Sequence, residues 1–266
     1  MKTKSAISMA IALALSAAAC GSVSLPEDVP TAQVDENWPT IPDDAAFGQV
    51  SAVATDDHGH IFVLHRAGRA WEEPFPAEPI AEPTVFMFAR NGRLLDKWGA
   101  GTFIMPHGIS VDDENKVWIT DVGREQVFRF SHEGEEELVI GERGVPGSDA
   151  AHFGRPADVE FIGDRVLVAD GYVNTRVAEF DRSGNFIREW GDFDIAHDLA
   201  VDEERIYVAD RENARIRLFT REGKSIEDWE TPTGGHPYGL AALGSGWLLA
   251  VEGRDEGDRT GAIVRV

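Results

Sequence analysis

A chain of 266 residues suits one large domain or two small ones, and a hydrophobic content of 42% is enough for a real core. It carries 25 Lys+Arg against 47 Asp+Glu, a formal net charge of −22. That excess argues against a phosphate-backbone partner, because nucleic-acid binding needs a basic patch.

In chain order, the first element is a leader. Lys2 and Lys4 precede an uncharged apolar run from Ala6 to Ala19, the pattern of a secretory signal peptide over residues 1–19. The run is too short for a comfortable membrane span. Cys20 is the only cysteine. It follows Ala17-Ala18-Ala19 at the place where a bacterial lipoprotein is cut and lipidated, although Ala17 stands where Leu is commonest. The expectation is an exported, cell-envelope lipoprotein anchored through Cys20, periplasmic or extracellular, touching membrane only through its lipid. An ordinary signal peptide with an incidental cysteine is the alternative. Residues 20–45 read as a tether rich in Ser, Pro, Asp, Glu and Thr, which leaves 46–266 as the folded domain.

That domain repeats one pattern. His107-Gly-Ile-Ser-Val-Asp leads to Val117-Trp-Ile-Thr-Asp121; Ala157-Asp-Val-Glu-Phe leads to Leu167-Val-Ala-Asp170; His197-Asp-Leu-Ala-Val-Asp leads to Tyr207-Val-Ala-Asp210. Weaker copies begin at Ser51 and Tyr238. Each copy continues through a turn to a second β-branched or aromatic run (Gln126–Phe130, Arg176–Phe180, Arg215–Phe219). A polar Gly turn and a further strand follow, closing near Trp98, Trp190 or Trp229. Repeats of roughly 40–50 residues made of short strands mean a propeller or a solenoid. The expected fold is all-β, a propeller with five recognisable four-stranded blades.

The copies look like NHL repeats. The region from about Trp38 to Val266 resembles the peptidyl-α-hydroxyglycine α-amidating lyase family. The residues that carry the likeness are Gln49-Val-Ser-Ala-Val, Leu64-His-Arg-Ala-Gly-Arg-Ala-Trp71, Met105-Pro-His-Gly, Thr120-Asp-Val, Gln126-Val-Phe and His152-Phe-Gly-Arg-Pro-Ala-Asp-Val. They continue in Asp170-Gly-Tyr-Val-Asn-Thr-Arg, Ala196-His-Asp-Leu-Ala and Val208-Ala-Asp-Arg-Glu-Asn. This ordered set is far more specific than an NHL match alone.

Repetition separates blade-building residues from candidates for chemistry. Asp121, Asp170 and Asp210 recur at one strand end, and Asn174, Asn213, Arg176 and Arg215 recur in the following turn, as residues that build turns do. Arg66, Val122, Gly171 and Arg211 share the next register, so Arg66 and Arg211 face one mouth of the central channel. In so acidic a chain they suit an anionic ligand such as a carboxylate; salt bridges to nearby acids are the plainer alternative. His107 and His197 open the second and fourth repeats, where neutral imidazoles can converge on the axis as zinc ligands. His58, His60, His65, His132 and His152 carry no assigned role, and His58-Gly59-His60 reads as a hairpin turn.

The resemblance implies more. His107 and His197 match two of three zinc ligands, Tyr172 a catalytic tyrosine, and Arg66 and Arg211 active-site arginines. The implied reaction cleaves the C–N bond of a peptidyl-α-hydroxyglycine to a peptide amide and glyoxylate. A tyrosine with its pKa drawn down by metal and arginines would take the hydroxyl proton. The family has six blades, with a third histidine in a later Pro-His-Asp repeat. No such sixth repeat is visible; His236 is the candidate substitute ligand, with a plain loop histidine after Gly234-Gly235 as the alternative. The structural calcium the resemblance implies would use the carbonyls of Val53 and Ile109 but lacks its aspartate, and the paired cysteines of animal members are absent. The alternative function is a non-catalytic propeller that binds a peptide or small anionic ligand at its mouth. A monomer acting on a small-molecule or peptide substrate with a carboxylate is expected.

Overall fold

A computed structural model describes residues 33–42, 45, 48–231, 233–243 and 246–253, and the backbone of 259–265. The expected leader, Cys20 and the rest of residues 20–32 lie outside these. The described elements are strands arranged in five antiparallel sheets. The first holds β1 (Val50–Thr55), β2 (Ile61–His65), β3 (Val85–Phe88) and β4 (Leu94–Trp98). The second holds β5 (Pro106–Val111), β6 (Val117–Asp121), β7 (Gln126–Phe130) and β8 (Glu136–Ile140). The third is β9 (Asp158–Ile162), β10 (Arg165–Asp170), β11 (Arg176–Asp181) and β12 (Phe186–Trp190), and the fourth β13 (Ala196–Val201), β14 (Arg205–Asp210), β15 (Arg215–Thr220) and β16 (Ser225–Glu230). The fifth sheet has three strands, β17 (His236–Ala242), β18 (Trp247–Gly253) and β19 (Arg259–Arg265).

In each sheet the first strand is innermost. β1 packs beside β5, β5 beside β9, β9 beside β13 and β13 beside β17, the radial order of a β-propeller. The core lies in layers between neighbouring blades. Phe62, Leu64 and Val85 of the first blade meet Ile109, Ile119 and Phe128 of the second. Leu167, Ala169 and Val177 of the third meet Leu199, Ile206 and Val208 of the fourth. Each such fully buried large apolar side chain contributes about 1.5–3 kcal/mol, so the blades are held mainly by their neighbours. Trp98 and Trp190 close their blades by packing on the next blade's turn. A Cβ at Gly134 would stand 2.5 Å from Trp98 and one at Gly223 would stand 3.0 Å from Trp190.

The recurrent aspartates build the blades. Asp121 accepts the backbone N–H groups of Ile104, Met105, Gly123 and Arg124 at 2.7–3.1 Å. Asp170 takes Gly154 N, Asn174 Nδ2 and Arg176 Nε, and Asp210 repeats this with Asp194 N, Asn213 Nδ2 and Arg215 Nε. Each ties a strand end to the segment entering its own blade. Thr40 makes a parallel bridge to Arg93 and the Trp38 ring packs tilted against Phe88, so residues 38–40 lie against the first blade.

The innermost strands enclose a channel of about 550 Å³ lined by Val53, Ile109, Asp158, Glu160, Asp198 and Leu240 among others. Asp158 accepts Leu199 N at 3.0 Å and Asp198 accepts Leu240 N at 2.9 Å, each reaching into the next blade.

Candidate active site

Strand pairing explains how two histidines reach the channel mouth. The β5–β6 register shifts between Pro106 and Ile109, and the β13–β14 register shifts between Ala196 and Leu199. His107 and His197 sit inside these irregularities. A bulge re-aims a side chain that regular alternation would point elsewhere. β17 carries the same shift between Pro237 and Gly239, at Tyr238. Gly171 permits the close approach of the third and fourth blades beside them, because a Cβ there would lie 2.1 Å from the carbonyl oxygen of Ala196.

Both rings are oriented by main-chain carbonyls of the following blade. His107 Nδ1 donates to Ala157 O at 2.8 Å, and His197 Nδ1 donates to Tyr238 O at 2.9 Å. Each Nε2 therefore presents a lone pair, and both lie 3.0 Å from the hydroxyl of Tyr172. Burial, with the charge of Arg66 second, holds His107 down to about 3. Burial together with His107 and Arg211 holds His197 well below the usual histidine value. Both imidazoles are neutral at pH 7. The phenol has one proton for two acceptors, so one lone pair faces an oxygen.

The arginines complete the mouth. Arg211 NH1 donates to Tyr172 Oη at 3.2 Å, while its Nε pairs with Glu212 at 2.8 Å. Its guanidinium lies over the rings of Tyr172 and Tyr238. Arg66 is buried, donating to Pro106 O at 2.9 Å and to Gln49 Oε1 at 3.0 Å, and lies over Trp71. Trp71 in turn packs against Tyr172 and His107. Trp71 belongs to the long loop between β2 and β3, which is latched by Arg155 on Glu73 at 2.8 and 3.0 Å. Trp71 closes the site, although the sequence reading assigns it no role; its only signal there is its place in the motif after Arg66.

The two arginines by themselves do not set the protonation of Tyr172. Burial raises its pKa, and the opposing charges of Arg211 and Arg66 do not overcome that, so the phenol is protonated. His236 begins β17 with Nδ1 3.6 Å from Glu212. Among the described residues no hydrogen bond or ring contact joins it to His107, His197 or Tyr172. The donor set at the mouth still fits a divalent cation: two neutral Nε2 atoms, each with its Nδ1–H fixed by a carbonyl, as metal-bound histidines are held. A second group, Asp56, His58, His60 and His132, places one ligand atom from each residue within 4.8 Å of the others and could hold a metal ion. It joins turns of two blades, which the sequence does not reveal.

The fold and this mouth define an NHL-repeat β-propeller, and a family model described as NHL repeat matches residues 103–130 and 193–219. Within that class the chain is similar to proteins named peptidyl-alpha-hydroxyglycine alpha-amidating lyase. It is 36% identical over 209 residues to a probable lyase of this name from Caenorhabditis elegans, covering 70% of this chain and 59% of that protein. It is 33% identical over 261 residues to lyase 2 of Drosophila melanogaster, covering 87% of this chain and 64% of that protein. The chain thus spans less than two thirds of either relative. A gluconolactonase structure from Xanthomonas campestris superposes with a TM-score of 0.61 at 17% identity, covering 82% of this chain and 77% of that one, a likeness of fold.

Proposed function

We propose that the chain is an amidating-lyase-like enzyme that cleaves a peptidyl-α-hydroxyglycine to a peptide amide and glyoxylate. The observation that carries this reading is the Tyr172 hydroxyl, shared at 3.0 Å by two neutral imidazoles and held by Arg211. His107 and His197 are the residues that would hold zinc there, and zinc so placed polarises a substrate hydroxyl and favours its ionised form.

The chain's own groups account for the rest. Arg211 and Arg66 pair with the substrate carboxylate. Tyr172 is the proton carrier: as phenolate it takes the proton of the α-hydroxyl, the carbonyl of glyoxylate forms as the C–N bond breaks, and the phenol returns that proton to the departing amide nitrogen. The two guanidiniums favour the phenolate that burial disfavours, so the balance shifts when cationic charge is added at the histidines. Trp71 excludes water from the mouth. The tyrosine's three hydrogen-bond partners favour this reading over a propeller that only binds an anionic peptide, since simple binding needs no shared proton.

Glyoxylate release from an N-acyl-α-hydroxyglycine, with zinc supplied, tests the proposal. Release that depends on Tyr172 supports it; tight binding of the compound without release leaves the binding module as the function. Export as a monomeric lipoprotein through Cys20 goes with this reading, and loss of fatty-acid labelling in Cys20→Ser tests it.

A further inference from the structure

We propose that Asp56, His58, His60 and His132 form a second, structural metal site, for an ion of the zinc type, that clamps the first blade to the second at the end of the propeller opposite Tyr172. The position follows from strand direction. β2 runs from this cluster towards Arg66 at the mouth, so the β1–β2 turn lies at the far end. The turn between β7 and β8, which holds His132, lies there too.

The geometry is that of a closed ligand set. Asp56 has a fully buried side chain, and its Oδ1 accepts the backbone N–H of His60 at 2.7 Å, which fixes the carboxylate. Its Oδ2 then faces His60 Nδ1 at 2.7 Å, His132 Nε2 at 2.8 Å and His58 Nδ1 at 3.6 Å. Those two nearer nitrogens are 3.3 Å from each other. An ion bound tetrahedrally at about 2.0–2.1 Å separates its nitrogen ligands by roughly 3.3 Å. The two nitrogen–oxygen distances are those of hydrogen bonds to Asp56, and a bound ion would widen them to about the same 3.3 Å.

The surroundings hold the ligands in place. The His132 ring stands edge-on to Phe62 with centroids 5.4 Å apart, and its free Nδ1 lies 3.5 Å from Glu133, the usual partner type for the outer nitrogen of a metal-bound histidine. Asp57 N donates to Asn115 Oδ1 at 3.4 Å, so the turn already touches the second blade. His58 is the most exposed of the four and completes the set by a rotation of its side chain. Three imidazoles and one carboxylate select zinc-like ions over calcium or magnesium, which prefer oxygen. With one cysteine in the chain, no internal disulfide can cross-link the blades, and a metal bridge between residues far apart in sequence does the same work.

The test separates this site from the mouth. Protein carrying His107→Ala and His197→Ala is stripped with a chelator and titrated with Zn²⁺, then with Co²⁺ as a spectroscopic probe. The expected result is one equivalent bound, tetrahedral Co²⁺ absorption, and a rise in Tm of several degrees. All three should vanish on adding His60→Ala and His132→Ala. In the otherwise unaltered chain, His132→Ala should leave glyoxylate release intact at low temperature while lowering Tm in zinc. Should the multiple variants fail to fold, zinc-edge anomalous diffraction from the unaltered protein decides the matter, with a peak between Asp56 and His132 expected. No peak there, or a stoichiometry indifferent to His60 and His132, overturns the proposal.

Discussion

The rings of His107 and His197, from the second and fourth blades, lie 5.0 Å apart at 74° to each other. Each is pinned through Nδ1 by the blade that follows it, so the pair is preorganised by the ring of blades and needs no contact between the two blades that carry them.

Tyr172→Phe removes the shared hydroxyl and leaves the ring that Trp71 and Arg211 cover. The expected outcome is a fall in kcat of about 10²–10⁴-fold, the usual worth of a positioned proton carrier, with Tm nearly unchanged. Steady-state glyoxylate assays beside thermal denaturation check it.

Trp71→Ala opens the mouth and uncovers Arg66. A cation–π contact is worth about 0.5–2 kcal/mol, so KM should rise about two- to thirty-fold. kcat should fall less, because Tyr172 keeps both histidines.

Gly171→Ala forces a methyl group into the Ala196 carbonyl, backbone against backbone. Overpacking of this kind costs about 1–3 kcal/mol, or several degrees in Tm. The displaced strand is the one bearing His197, so if the mouth holds zinc as proposed, the zinc bound there should fall as well; metal analysis of the purified variant reads this directly.

Stability should fall as pH rises from about 6.5 to about 8 and then level off. Burial lifts Asp158 to about 7, and burial with the neighbouring Asp158 charge lifts Glu160 to about 8. The folded chain thus keeps protons that the unfolded chain has lost above its ordinary values of 3.8 and 4.5, and stability falls as pH rises through 7–8. Glu160 is half-buried and faces the channel, where water moderates the effect. Below 6.5 His107 works against this trend, because unfolded histidines take up protons there that His107 refuses down to about 3. Tm measured from pH 5 to 9 should show that fall and the plateau above it, and Glu160→Gln should lessen the fall.

Much of this protein is local and therefore legible in its residues. Strand positions follow from β-branched and aromatic runs, and turns from their glycines. The propeller follows from a repeated unit too small to bury its own faces. The register of the repeat also placed His107, His197, Arg66 and Arg211 at one mouth, since equivalent positions in a ring are equivalent in space. Tyr172 was legible only through family likeness. Packing decided what no local pattern carries. The bulges aim the histidines inward, a loop between the second and third strands of one blade covers a tyrosine in another, and burial keeps that phenol protonated despite two arginines. It also paired His236 with Glu212, and brought His58 and His60 onto His132. Those outcomes depend on distances between residues remote in the chain, and only the stacking of neighbouring blades sets them.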